Sequence, residues 1–369
     1  NTQRADHTFI AFDPNTAGKF IVVYRDEGNS NHGTAIAGTV SGTTLSFGSE
    51  VVFNSGVVEY TQIAFDPNTA GKFVITYMNQ NNSNYGEAIV GTLSGTTLSF
   101  GTAVVFNSAY SLDIKIAFDP STAGKFVVVC RDNANSNYGE AIAGAVSGTS
   151  ISFGSMVVFN TGSTNHISVA FDPSTAGKFV VAYRNMGNSN NGTAIVGTLS
   201  GTSISFTNPS VFNAGNSRWT SIAFDPNTAS KFVVAYQDSG NSGYGTAVVG
   251  NLAATNISFG SEVVFNTGST QYNSIFFNPN TANQFVVAYT DDGNSYYGTV
   301  KVSTISGTSI SFGSGNVFNT GSTQYISVSL DPNTDGKFVV AYKDEANSDY
   351  GAAIVGQLSA SLTNLTSTN

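Results

Sequence analysis

The sequence predicts an all-β fold, a seven-bladed β-propeller with four antiparallel strands per blade. A unit of 53 residues recurs seven times without change of length and accounts for the chain to within two residues. Each unit consists of short runs rich in Val, Ile, Phe and Tyr, punctuated by Gly, Pro and Asn, with no helical period. Equal β units that are each too small to bury an apolar face alone must stack on one another, and a closed ring does this with little exposed strand edge. A β-solenoid has shorter coils and requires no fixed number of copies.

The repeat is marked by Asp-Pro at Asp13, Asp66, Asp119, Asp172, Asp225 and Asp331, with Asn278-Pro279 in the sixth place. It divides the chain into units 1–53, 54–106, 107–159, 160–212, 213–265, 266–318 and 319–369 of a single domain. In the second unit, Tyr60–Phe65 alternates as a first strand. Asp66–Gly71 makes a turn, with Pro67 fixing φ and Gly71 accepting positive φ. Phe73–Tyr77 is continuously apolar, as expected of a strand covered on both faces. Met78–Tyr85 is a polar loop, Glu87–Leu93 the third strand, and Leu98–Phe106 the fourth.

Seven positions are identical in all units, those of Asn1, Pro14, Thr16, Phe20, Asn29, Ser30 and Gly33. Phe20 and its copies are expected to pack between blades, each contributing about 1.5–3 kcal/mol of burial. Asn29-Ser30-x-x-Gly33 reads as a loop held by side-chain bonds to backbone and ending at positive φ on the glycine. Cys130 stands where Tyr24, Tyr77 and Tyr183 recur, so a buried, inert thiol is expected. Ser359–Asn369 aligns without a gap on Ser306–Asn316, with Leu365 in the place of Phe312 and the final Val-Phe missing. The last blade should therefore close with a frayed fourth strand of its own and borrow none from the N-terminus. Because the sequence opens at Asn1, either a leader has been removed or a longer protein continues upstream.

The chain is 40% hydrophobic and 12% aromatic, so it can bury a large core although only 10% of it is charged. A net charge of −9 argues against nucleic acid or anionic membrane as partners, and no run is long enough to insert in a membrane as a helix. His7, His32 and His166 lie in separate units and assemble no Ser–His–Asp set. Metal-ligand clusters do not appear either, so neither an enzyme nor a cofactor is expected. Asp26, Asp132, Asp238, Asp291 and Asp344 recur in one loop, but Asn79 and Asn185 replace them in two units, which favours turn formation over calcium.

Diversity is confined to one rim. Asp-Pro turns and Ser-Gly-Thr turns repeat almost unchanged on one face, whereas the loops of the other vary, which makes that face the candidate for recognition. Two largely aromatic series lie there. One comprises His7, Tyr60, Asp113, His166, Trp219, Tyr272 and Tyr325, and the other His32, Tyr85, Tyr138, Asn191, Tyr244, Tyr297 and Tyr350. Rings beside Asn, Asp and Ser suit a sugar, which needs a flat apolar surface and forked hydrogen bonds. The bland alternative is that they pack blade against blade. Arg218 and Trp219 stand out because their unit departs furthest from its siblings. Asn81, Asn191, Asn256 and Asn364 head glycosylation sequons, a weak signal in a chain so rich in Asn, Ser and Thr.

The recurring segments, of consensus GKFVVAYRD, GNSNYGTAIVGT and SGTSISFGS (the last as it stands at Ser147–Ser155), resemble tandem repeats of marine phage structural and tail-fibre-like proteins and of aquatic bacterial surface proteins. The resemblance covers essentially the whole chain. It implies an extracellular, cell-surface or virion-surface setting and names no ligand; surface glycans, expected from the rings of the varied rim, or copies of the same chain are the expected partners. By analogy of fold, seven-bladed bacterial lectins hold sugars in clefts between blades. Two expectations follow: a non-enzymatic recognition propeller with glycan clefts on one face, or a self-assembling module of a fibre or surface layer.

Overall fold

In the computed structural model, which describes residues 3–358 and the backbone of 364–367, the apolar runs of every unit are antiparallel strands. In the first unit Ala5–Phe12, Lys19–Asp26, His32–Ser41 and the start of Thr44–Phe65 pair in that order. The second unit repeats the pattern with the end of Thr44–Phe65, Lys72–Asn79, Tyr85–Ser94, Thr97–Phe100 and the start of Val104–Phe118. The second strand is buried on both faces, as its unbroken apolar run requires. The second and third strands are longer than anticipated, the expected fourth strand Leu98–Phe106 is interrupted at 101–103, and the polar loop after Asn79 shrinks to a short 3₁₀ turn at Gln80–Asn82.

One connection differs from the sequence reading. The outer strand of a unit passes directly into the inner strand of the next, as in Thr44–Phe65, Val104–Phe118, Ser210–Phe224, Val263–Phe277 and Asn316–Leu330. Between Val157–Asn160 and Thr164–Phe171 the run is interrupted. The architecture is all-β, antiparallel and propeller-like. First strands lie beside one another in cyclic order, and that of the last unit, Asn316–Leu330, returns to Ala5–Phe12.

The junction between the chain's two ends reproduces the bonds found between interior units. The side chain of Asn15 donates to the carbonyl of Pro67 at 3.3 Å, and that of Asn333 donates to Pro14 at 3.1 Å. The amide of Gly124 donates to Asp66 Oδ2 at 2.9 Å, and that of Gly18 to Asp331 Oδ2 at 2.8 Å. Val58 N donates to the carbonyl of Asn31 at 3.2 Å, and Ala5 N to that of Asp349 at 3.0 Å. The last unit supplies its own outer strand, Asn364–Ser367, and Leu365 pairs with Gly356 where Phe312 pairs with Ser303. The N-terminus nonetheless takes part, through an antiparallel bridge from Arg4 to Tyr350. Arg4 thus occupies the place that Ser322 takes opposite Tyr297. Fraying at 359–363 and 368–369 lies outside the described residues.

The core consists of clusters shared between neighbouring units. Ile21, Val23, Ala35 and Ala37 of the first unit pack with Phe65, Phe73, Ile75 and Tyr77 of the second. The closing cluster sets Phe12, Phe20 and Tyr24 against Val339, Ala341 and Val355. Phe20 and its six copies are fully buried at these interfaces, as expected. Each pairs across its own sheet with a small residue, for example Phe179 with Gly197, where a methyl group would overlap the ring. Cys130 is buried, and burial pushes its thiol up, which fits the inert role.

The invariant Gly33 series calls for a correction. Positive φ falls on Ser30 and Asn31, at 57° and 62°, and on their copies, not on the glycine. In the first six units the glycine lies under a ring: a Cβ on Gly33 would strike Phe53, and one on Gly86 would strike Phe106. The loop bonds are also made differently. Asn82 and Asn135 donate to the carboxylates of Glu87 and Glu140, while Asn79 and Asp132 accept the loop amides of Asn81 and Ala134.

Two substitutions test the ring-over-glycine packing. Gly197→Ala should lower stability by about 1–3 kcal/mol through overpacking beneath Phe179. In the sixth unit the same place is held by Ser303, whose buried hydroxyl has no hydrogen-bond partner. An unsatisfied buried hydroxyl costs about 1–3 kcal/mol, more than the roughly 0.5–1 kcal/mol penalty of a strand glycine. Ser303→Gly should therefore raise the midpoint of thermal unfolding. A lower midpoint would contradict this account.

Candidate functional site

The first series of variable residues meets at the mouth of the central channel, placed there by a bulge in every inner strand. Asp6 pairs with Arg25 and Phe9 with Val23, so His7 and Thr8 together face one residue. The same shift recurs in each later unit. The first bulged residue takes a left-handed backbone throughout, with φ of 51° at His7, 52° at Tyr60, 49° at Asp113, 49° at His166, 53° at Trp219, 50° at Tyr272 and 49° at Tyr325. For bulky side chains this region is unfavourable, by roughly 1–2 kcal/mol per residue. The bulge re-aims these side chains. In two units a threonine helps hold it, Thr61 donating to the carbonyl of His7 and Thr220 to that of His166.

The result is a collar of rings in contact, tilted by 42–53° against one another. Centroid separations are 5.3 Å for His7–Tyr60, 4.9 Å for His7–Tyr325, 5.2 Å for Tyr272–Tyr325, 4.4 Å for Trp219–Tyr272 and 5.0 Å for His166–Trp219. Asp113 interrupts it between Tyr60 and His166. These rings do pack between neighbouring units, as the bland alternative has it, with the contacts running around the axis. Burial, reinforced by nearby cations, holds the imidazoles of His7 and His166 down at about 3, so both are neutral near pH 7. Burial pushes the Asp113 carboxyl up against the pull of Arg131 and Lys115.

Beneath the collar the inner strands enclose a cavity of about 840 Å³ that reaches the prolines of the Asp-Pro turns. Its walls carry Ala11, Ala64, Ala117, Ala170 and Ala223 in one layer and serines in the layer above.

The second series is dispersed. Tyr85, Tyr138, Tyr244, Tyr297 and Tyr350 each begin a third strand, part-buried, and join no ring cluster among the described residues. Arg218 is exposed beside the collar. Asn81 and Asn256 are exposed and Asn191 is part-buried, while the side chain of Asn364 lies outside the described residues. The acidic loop series serves the fold: Asp238 accepts the amide of Gly240, and Asp132, Asp291 and Asp344 accept the side chains of Asn107, Asn266 and Asn319.

A cleft of about 220 Å³ opens between the sixth and seventh units on the varied rim. Tyr272 and Tyr296 supply rings, Gln271 and Gln324 amides, Ser322 a hydroxyl and Glu345 a carboxylate. Tyr296 is 51% exposed at a φ of 62°. Sequence reasoning overlooked it, although a signal existed: its copies are Asn31, Asn84, Asn137, Asn190, Gly243 and Asp349.

Charge concentrates where the first and last units meet. Arg25 binds Asp6, Glu27 at 3.0 Å and Glu59 at 3.4 Å, while Lys343 reaches Asp6 at 2.8 Å and Asp349 at 3.4 Å. Arg4 spans Glu27 and Asp349 at 3.0 Å each. Burial alone would raise the Asp6 pKa, but a hydrogen bond with Glu27 and the charges of Lys343 and Arg25 outweigh it and hold the carboxyl below its usual range. A depressed carboxylate stabilises the fold fully above its unfolded pKa of 3.8 and loses that contribution as pH falls below it. Relative to Asp6→Asn, the native chain should be more stable at pH 6, and the difference should shrink below pH 3.8, as read from unfolding midpoints. By NMR, the imidazoles of His7 and His166 should stay neutral from pH 8 to about pH 5.

No known family model matches the chain, and no curated protein sequence does. Solved structures do. The BP39L lectin from Burkholderia pseudomallei superposes with a TM-score of 0.68 at 8% identity, covering 99% of this chain and 98% of that one. Sqt1 from Chaetomium thermophilum gives 0.60 at 12% identity over 98% and 83%. AofleA from Arthrobotrys oligospora gives 0.53 at 7% identity over 84% and 86%. The likeness is one of fold, all-β and propeller-like.

Proposed function

We propose that the chain is a seven-bladed propeller, one four-stranded blade per 53-residue unit, serving as a non-enzymatic carbohydrate-recognition module with glycan sites in inter-blade clefts of the varied rim. The cleft at Tyr296 carries this reading. A half-exposed ring offers a stacking surface for the apolar face of a sugar. Ser322 already donates to Glu345 and the Gln271 amide to Asp292, which leaves the Gln324 amide, the Gln271 carbonyl and the remaining acceptor capacity of Glu345 for vicinal hydroxyls. The fold it shares with a bacterial lectin supports the reading. Weak cleft sites repeated around one rim would act together on a glycan-coated surface, consistent with a setting outside the cell or on a virion.

A second reading, a self-assembling structural module, has an observation of its own. Val52, Val105, Val158, Val211, Val264 and Val317 stand exposed at one repeat position of the outer strands, a belt of apolar contacts available to another copy.

A glycan array followed by titration calorimetry tests the first reading. Tyr296→Ala should weaken the selected glycan about tenfold, the value of one aromatic contact. Tyr138→Ala, in the third unit and away from the cleft, should leave it within about twofold. Equal binding by Tyr296→Ala, or no glycan bound at all, would remove the cleft from consideration. Concentration-dependent assembly that Val211→Lys abolishes, with no glycan bound, would favour the module.

A further inference from the structure

We propose that the channel beneath the collar is a second, independent binding site, for a small amphipathic carboxylate whose charged end meets Lys115 and whose apolar body lies along the alanine layer. Two places after the collar stands Ser168, Ser221, Ser274 or Ser327 in four units, the first three of these lining the lumen and Ser327 buried beside it, and Phe9, Gln62 or Lys115 in units one to three. Each of those serine oxygens accepts an amide from the next inner strand: Ile222 N at 3.1 Å, Ile275 N at 3.2 Å, Val328 N at 3.0 Å and Ile10 N at 3.2 Å. An oxygen engaged as acceptor still carries its proton, and among the described residues these four protons meet no acceptor. The layer therefore turns hydroxyl donors towards the lumen.

Lys115 adds a cation to that layer. Its Nζ lies 5.8 Å over the ring of Phe9, and among the described residues no carboxylate is within ion-pair distance. Burial lowers its pKa and the charge of Asp113 opposes this, so a bound carboxylate would favour the ammonium form. Among the described residues Asp113 is the only carboxylate lining the channel; those of the Asp-Pro turns lie outside the lining and accept backbone amides, as Asp13 does from Asn15 and Asp331 from Asn333. Donors and one cation above, with alanines and Phe276 below, select an anion attached to an apolar body. The rings of the collar, with Asp113 among them, bound the site on the varied rim, which leaves the proline rim as the route of entry.

Trp219, the sole tryptophan, sits in the collar over this lumen and reports on it. Hexanoate should change its fluorescence on titration, with acetate and hexanamide binding distinctly more weakly. Lys115→Ser, which installs the residue four other units carry and so should fold, is expected to lose hexanoate affinity by about ten- to a hundred-fold. Lys115→Arg should recover most of it, and both variants should retain the native unfolding midpoint to within a few degrees. The proposal is overturned if millimolar hexanoate leaves Trp219 and calorimetry unmoved, if folded Lys115→Ser binds as the native chain does, or if hexanamide or acetate matches hexanoate. Because Lys115 lies outside the Tyr296 cleft, glycan binding can survive or fail without deciding this result.

Discussion

Every unit presents backbone groups that only its neighbour can satisfy, and the carboxylate of the Asp-Pro turn is the group that most directly meets this need. One oxygen accepts the amide two residues on in its own turn, as Asp66 does from Asn68 at 3.0 Å. The other reaches into the next unit, to Gly124 from Asp66, to the hydroxyl of Ser230 from Asp172 and to the amide of Asn283 from Asp225. A charged acceptor holding two buried donors is stronger than two neutral bonds, and losing it would leave both unsatisfied. The core clusters depend on this clasp because each is made of residues from two units and has no existence within one.

The exception in the sixth unit bears this out. Asn278 has one oxygen for the amide of Asn280, and its nitrogen is a donor where the other units have an acceptor. The seventh unit answers with Asp335 where the other six carry Ala, and Asn278 Nδ2 donates to its carboxylate at 3.3 Å. The acid has moved across the interface, and the hydrogen bond between units is kept with its polarity reversed.

Much of the scaffold was legible because it is periodic. Phe20 and its copies, the doubly buried second strand and the embedded Cys130 follow from spacing and apolarity, and all three are found. What was hidden involved backbone conformation. The inner-strand bulge leaves no mark in the pattern, since a left-handed residue is anticipated from Gly or Asn and here it is His, Tyr, Asp or Trp. For the same reason positive φ was assigned to Gly33 when it belongs to Ser30 and Asn31. The residues of the candidate sites were detectable by a different rule, as departures from the repeat: Tyr296 among asparagines and Lys115 among serines. The aromatic rings were easy to see, but their gathering around an axis could be known only from the fold.

The collar also bears on how such a chain can change. At these seven positions the main chain is held by strand pairing on either side, and the left-handed torsion is tolerated better by Asp and His than by the larger rings. Six of the seven side chains also touch a neighbour around the axis, so a substitution there alters the opening and the seam between adjoining wedges together.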